Sequence, residues 1–315
     1  MEKLYIVTCI SNPLRWRSRI DLARRAIMDW LKAPEVHVTL VEVAYGSRGY
    51  ELADLAGERV KHVPVRATTM SWSKESTLGI GIANLPHDAE KIATFDADIL
   101  FRRPTWATDA LAALDLYPVT QPWDTAYDLG PNGEHIQTHK SFASLYHSGK
   151  PVVPTGPRFW DFDGGPYVYS HTGFAWCYQR RILDRIGGLF DVAGMGSADH
   201  HQAYGMIGKH EVSLPGGVSD GYRNALEAWS RRATSEINGK IGYSHGTIEH
   251  LFHGSKRRRF YLSRWDMFLK HGFDPVIDLK RNTHGVIEFS GHKAELEREW
   301  DLYLRSRMED SNMID

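Results

Sequence analysis

Cysteine is nearly missing: the 315 residues hold two, Cys9 and Cys177. That excludes a cysteine-rich metal site and argues against a disulfide framework; both lie in apolar stretches where reduced, buried thiols are expected. Long hydrophobic runs are missing too, and nothing approaches the roughly 20 apolar residues of a membrane-spanning helix. The opening stretch, MEKLYIVTCIS, enters a strand-like run at once and lacks the apolar segment and small-residue cleavage site of a signal peptide. A cytoplasmic protein without an anchor is the expectation. An excess of either charge is absent as well, since 38 basic residues stand against 39 acidic ones. Strong long-range attraction to nucleic acid is therefore not expected, although local basic stretches occur at 15–25 (RWRSRIDLARR) and 256–259 (KRRR). No internal repeat, clear linker or obligate protein partner is visible. What remains is the composition of a soluble globular protein, 42% hydrophobic and rich in tryptophan, with ten.

The apolar pattern alternates between strands and helices. LYIVTCI (4–10) reads as a buried first strand, stopped by SNP. A helix follows, with Ser18 and Asp21 spaced as a capping box and Ile20, Ala23, Ile27, Trp30 and Leu31 on one face. Residues 36–45 and 59–67 read as strands, the latter at an edge because of Pro64. Residues 74–85 read as a helix despite two glycines, and KIATFD as the fourth strand. Such alternation implies an α/β fold with a mostly parallel central sheet, whose ligands sit at the carboxyl ends of the strands. Later, 117–123 and 169–178 read as strands, whereas 134–166 is polar, rich in glycine and proline, and loop-like. Helical patterns recur after 179, from 198 with Ser197 as N-cap, and at 221–236, 257–270 and 292–308. The last residues, EDSNMID, are expected to fray. A domain at 1–255 and a C-terminal helical extension at 256–315 are the expected organisation.

Asp96 and Asp98 fall where the fourth strand ends. A buried strand excludes charge unless the charge has a partner. Two carboxylates there either emerge into water or hold a hard divalent ion such as Mg²⁺ or Mn²⁺ through oxygen. The spacing alone is weak: about one such pair is expected by chance in a chain of this kind, and a second, DFD, stands at 161–163.

TFDADILFRRP resembles the Asp-x-Asp segment of GT-A fold glycosyltransferases. SHTGFAWCYQRRILDRIGGLFD followed by GMGSADHHQA resembles the second signature of their galactosyl- and N-acetylgalactosaminyltransferase-like branch, and IEHLFHGSKRRRFY the late histidine segment. SNPLRW, WSKE, GSADHH and HGSKRRRFY together resemble glycosyltransferase-like proteins of tailed phages. The resemblance implies a GT-A fold and a metal held by Asp98, Asp96 and His253, with His250 as a rival for the last position. It implies a nucleotide-sugar donor, a UDP-sugar above others, and Asp199 as the general base. The nucleotide would meet Asn12 and Arg15 after strand one and Glu42 after strand two. Trp72 and Lys74 would approach the diphosphate, with Lys256 and its basic neighbours clamping it on departure. His200 and His201 are adjacent and cannot share a helix face, so at most one joins the site. Each residue also has an ordinary structural reading: Asp199 as a cap, Glu42 as a strand polar residue, Lys74 and Lys256 as exposed charges.

The activity so implied is metal-dependent transfer of a sugar to a hydroxyl, the phage resemblance adding a hydroxymethylated pyrimidine in DNA as acceptor. A polysaccharide or protein hydroxyl is the alternative. From other classes, a metal-dependent nucleotidyltransferase or phosphoesterase and a non-catalytic sugar- or nucleic-acid-binding protein compete. The sugar, the acceptor, the stereochemical outcome and the oligomeric state are not encoded in any motif.

Overall fold

The computed structural model describes residues 2–153, 170–260 and 263–314. Strand β1 (Leu4–Ser11) lies at the heart of the sheet. Its residues alternate between the two faces, Tyr5 and Val7 into one apolar cluster, Leu4, Ile6 and Ile10 into the other. Helix α1 (Arg17–Trp30) buries Ala23, Ala26, Ile27 and Trp30, a three–four spacing that lays one face on the sheet. Its expected capping box does not form. Ser18 instead donates to the Glu309 carbonyl, and the Asp310 carboxylate accepts from the Arg17 and Ser18 amides at 2.9 and 2.8 Å. The orphan N–H groups of the first turn are thus satisfied from the far end of the chain.

Strands β2 (Val36–Tyr45) and β3 (Val60–Ala67) extend the sheet in parallel, with β3 at the edge, where Pro64 costs no ladder bond on its free side. Helix α2 (Lys74–Ala83) tolerates its glycines because one is needed: a Cβ on Gly81 would overlap Val7 and come within 2.9 Å of Val41. Strand β4 (Lys91–Phe95) is wholly buried and pairs in parallel with β1. The chain then turns through Asp96 and Asp98 into β5 (Ile99–Phe101), followed by helix α3 (Trp106–Leu116) and strand β6 (Val119–Gln121).

Residues 134–147, expected as loop, contain regular structure. After β7 (Thr125–Leu129) come strand β8 (His135–Lys140) and helix α4 (Phe142–His147), capped by the Ser141 hydroxyl on the Ser144 amide. The second Asp-x-Asp, 161–163, lies outside the described residues. Strand β9 (Ala175–Gln179) runs antiparallel between β4 and β6. Helix α5 (Arg180–Ile186) ends on Gly187 at φ +82°, the left-handed cap its sequence suggests. Helices α6 (Ala198–Met206) and α7 (Asp220–Ile237) lead to β10 (Ile241–Tyr243) and β11 (Thr247–His250). The C-terminal part holds α8 (Ser263–Lys270), α9 (Pro275–Asp278), a hairpin of β12 (Leu279–Arg281) and β13 (Ile287–Phe289), and α10 (Ala294–Ser306). The hairpin was not expected in a helical extension.

Among the described residues seven strands form the central sheet in the order β10-β6-β9-β4-β1-β2-β3, mostly parallel and flanked by helices, the α/β architecture expected. A second sheet, β5-β11-β7-β8, starts immediately after the Asp-Ala-Asp turn. It brings segments more than a hundred residues apart against the end of β4. Trp265, Phe268, Phe289 and Trp300 share one apolar cluster with Tyr222, Leu226 and Trp229 of α7, so the C-terminal segments pack on the same core. No helix among the described residues is long and apolar enough to cross a membrane.

Candidate functional site

Asp98 follows β4 and holds the Leu251 amide through its carbonyl at 2.8 Å, which ties the turn to the segment after β11. Two buried histidines of that segment face its side chain. His253 Nε2 lies 3.0 Å and His250 Nε2 3.8 Å from Asp98 Oδ2, and ligand atoms of the three residues fall within 4.8 Å of one another. Each histidine has a carboxylate behind it. His250 Nδ1 donates to Asp128 Oδ1 at 2.7 Å, and His253 Nδ1 lies 3.5 Å from Glu309 Oε2. A carboxylate hydrogen-bonded behind an imidazole, as Asp128 is behind His250, fixes the ring and its tautomer and leaves the other nitrogen for a metal; Glu309 stands behind His253 without such a bond. One carboxylate oxygen and two imidazole nitrogens fit a divalent ion such as Mn²⁺. Burial works against ionised Asp98, but His250, His253 and Arg259 hold it well below the usual carboxylate range.

Asp96 stands outside this trio. Its side chain forms an ion pair with Lys74 at the start of α2. Burial raises the Asp96 pKa, Lys74 opposes that, and Asp98 adds to it. Lys74, although buried against its charge, is kept protonated by Asp96, Glu75 and Asp199. Lys256 pairs with Asp128, which also holds His139. Arg259 donates to His253 Nε2 at 2.8 Å. These groups line one cleft of about 1000 Å³ at the carboxyl ends of the central strands, the place the sheet topology predicts.

Asp199 occupies the first turn of α6 and faces the same cleft. The approach is tight: a Cβ on Gly173 would sit 2.7 Å from Asp199 Oδ2. The chain enters the helix through Gly196 (φ +91°) and Ser197 (φ +68°). Ser197 does not cap α6 with its side chain, as expected from sequence; its hydroxyl accepts from Arg264 at 2.8 Å. No described residue donates a hydrogen bond to the Asp199 carboxylate, which is half-buried. Glu75 lines the cleft beside it. Burial, opposed by Lys74 and aided by Asp199, lifts the Glu75 pKa to about 7. Of the adjacent histidines, His200 lines the cleft, burial pushing its pKa down to about 4. His201 turns into the core, where Ser213 and Tyr222 meet its two nitrogens, each at 2.9 Å.

Asn12, Arg15 and Glu42 surround a second pocket of about 370 Å³, which shares Ile10 with the cleft. Two of the three are already engaged. Asn12 closes its own loop through the Trp16 amide and carbonyl at 2.9 and 2.8 Å. Glu42 accepts from the Glu51 and Leu52 amides and pairs with His62 at 2.8 Å. They shape the pocket wall rather than offer free donors, whereas Arg15 is exposed at φ +62°. Trp72 lines the main cleft, with the guanidiniums of Arg264 and Arg307 5.8 and 5.7 Å from its ring.

No protein-family model matches this chain, and no curated protein matches it in sequence. Solved structures are similar in outline. A structure of TarS residues 1–349 from S. aureus is 11% identical over 85% of this chain and 65% of that one, so the chain spans less than two thirds of its length, with a TM-score of 0.40. Glucosyl-3-phosphoglycerate synthase from Mycobacterium tuberculosis, solved with Mn²⁺, UDP and phosphoglyceric acid, is 11% identical over 92% and 81% (TM-score 0.40). A 4-diphosphocytidyl-2C-methyl-D-erythritol synthase from Anaerococcus prevotii is 10% identical over 78% and 87% (TM-score 0.36). Likenesses of this size carry nothing about the chemistry of this chain.

Several site residues carry no signal in the sequence. Asp128, His139 and Glu309 sit in polar stretches far from any motif, and only pairing of β7, β8 and β11 or docking of the tail brings them in. The tail was expected to fray, yet Glu309 is buried between Arg19 and Arg307, which hold its pKa well below the usual range against the cost of burial.

Proposed function

We propose that this protein is a metal-dependent glycosyltransferase of GT-A type, moving a sugar from a nucleotide-sugar, a UDP-sugar above others, to an acceptor hydroxyl. The observation that carries the reading is the Asp98–His250–His253 trio at the end of β4, in a cleft whose wall also bears the Asp199 carboxylate and several basic side chains. The order of motifs along the chain supports it independently. Asp98, His250 and His253 would hold the metal, which stabilises the negative charge of the leaving diphosphate. Lys74 and Lys256 supply further positive charge at the same cleft, and Asp96 holds Lys74 in place. Asp199 takes the proton of the acceptor hydroxyl as its oxygen bonds to the anomeric carbon, while the bond from that carbon to the diphosphate oxygen breaks with its electron pair. Asn12, Arg15 and Glu42 shape the pocket for the nucleoside. A general base in the role assigned to Asp199 is what an inverting transfer requires.

For the acceptor, the reading carried from the sequence is a hydroxymethylated pyrimidine swung out of DNA. Its support is the exposed Arg257 at the rim of the cleft. Incubation of hydroxymethylated DNA with the bound donor, followed by nucleoside mass spectrometry, should show an added sugar; its absence directs the search to polysaccharide and protein hydroxyls. The donor class is tested by thermal shift against a panel of nucleotide-sugars with Mn²⁺, because a ligand of the folded state raises the melting temperature by mass action. A shift that needs both UDP-sugar and Mn²⁺, and is lost in Asp98→Ala, is expected. No shift with any nucleotide-sugar would contradict the reading.

A further inference from the structure

Buried polar groups in folded proteins almost always have a partner. On one wall of the cleft three do not. Arg307 is 5% exposed; its Nη2 donates to Glu309 Oε1 at 2.7 Å, while Nε and Nη1 are buried and meet no acceptor among the described residues. Trp72 Nε1 and Ser73 Oγ are likewise buried without a partner among the described residues. All three residues line the same cleft, and the Arg307 guanidinium lies 5.7 Å from the Trp72 ring centroid.

The chemistry of these orphans selects a ligand. An indole N–H and the N–H groups of two guanidinium nitrogens can only donate, and a hydroxyl can donate. A cation would be repelled, and an apolar group would leave every donor unpaired. The local charge is positive, because Arg19 and Arg307 share the single carboxylate of Glu309. An anion with several acceptor oxygens spread in three dimensions satisfies donors arriving from different residues, which a planar carboxylate does less well. We propose that Trp72, Ser73 and Arg307 form a phosphoryl-binding site that works without the metal.

The site shares the cleft of the proposed transferase but does not rest on sugar transfer. The phosphoryl group comes from the diphosphate of a nucleotide or from a phosphate on the acceptor. Isothermal titration of the full chain with inorganic pyrophosphate and with inorganic phosphate, in EDTA, tests the site alone. Trp72→Phe keeps the ring and removes one donor; Ser73→Ala removes the hydroxyl; Arg307→Lys keeps a charge beside Glu309 and removes the unpaired guanidinium donors. Wild type should bind pyrophosphate, and each variant should bind it several-fold more weakly, Arg307→Lys by about tenfold or more, with melting temperatures recorded to confirm that each folds. UDP with Mn²⁺ then separates the sources. If the nucleotide fills the site, UDP displaces phosphate and Trp72→Phe weakens UDP; if the acceptor fills it, phosphate binds equally well with UDP in place. No heat from pyrophosphate or phosphate up to about 10 mM, or wild-type affinity in Trp72→Phe together with Ser73→Ala, would overturn the proposal. Neither result bears on whether a UDP-sugar is turned over.

Discussion

Asp199→Asn separates the two roles open to a carboxylate at the start of a helix. Asparagine is itself a good residue near a helix N-terminus, so stability should change by about 1 kcal/mol or less. It cannot accept a proton, so turnover should fall by about a hundredfold or more while donor affinity holds. Near-normal turnover would place the base elsewhere. Glu75 gives a second test at this scale, through pH. Its pKa is raised from 4.5 to about 7 in the folded state, so the folded protein binds the proton more tightly. The stabilisation this gives is complete below about 4.5 and is lost as pH rises through about 7. Glu75→Gln removes that dependence: its melting temperature should gain on wild type between pH 4.5 and 7 and then keep a constant lead. A gap that does not change over that interval would show that Glu75 is not held protonated. Asp98, His253 and its rival His250 could be singled out in sequence because a strand end and a late histidine segment are ordered motifs, whereas Asp96, expected beside Asp98 on the metal, pairs with Lys74 instead. Asp128 and Glu309 were not, because the groups they meet, His250 and Lys256 for one and His253 and Arg19 for the other, are distant in sequence and are brought to them only by the fold.

Among the elements, the buried strands and amphipathic helices were legible because hydrophobic period follows directly from burial on one face or two. Strand β8, HIQTHK, was not: it lies at the edge of the small sheet, mostly exposed, and shows no apolar alternation. The cap of α1 was misread for a different reason, since its carboxylate comes from residue 310. Asp310→Ala should therefore lower unfolding free energy by about 1 kcal/mol, measured by urea denaturation, whereas Asp21→Ala, which affects only an exposed pair with Arg17, should change it little. Gly81→Ala tests the contact of α2 with the sheet. The added methyl meets Val7 and Val41, and overpacking of this kind costs about 1–3 kcal/mol. A neutral or stabilising Gly81→Ala would mean that the helix can move away from the sheet.

The whole molecule assembles its cleft from strand ends, two helix starts, the second sheet and the C-terminal tail. The tail closes the arrangement: Glu309 stands behind His253, holds Arg19 and Arg307, and is followed by the cap of α1. Removing residues 307–315 should weaken Mn²⁺ binding by about tenfold or more, the scale set by losing a carboxylate behind a metal-ligating histidine. Electron paramagnetic resonance of free Mn²⁺ reads this without any assay of turnover, and unchanged binding would separate the tail from the metal site. The central claim is transfer from a nucleotide-sugar with the help of a metal on Asp98. The most direct measurement is the product released when the protein is incubated with UDP-sugars and Mn²⁺. Release of UDP by wild type, slow without acceptor and absent in EDTA and in Asp98→Ala, is the result predicted. Release of UMP or pyrophosphate, or UDP release that continues unchanged in EDTA and in Asp98→Ala, would contradict it.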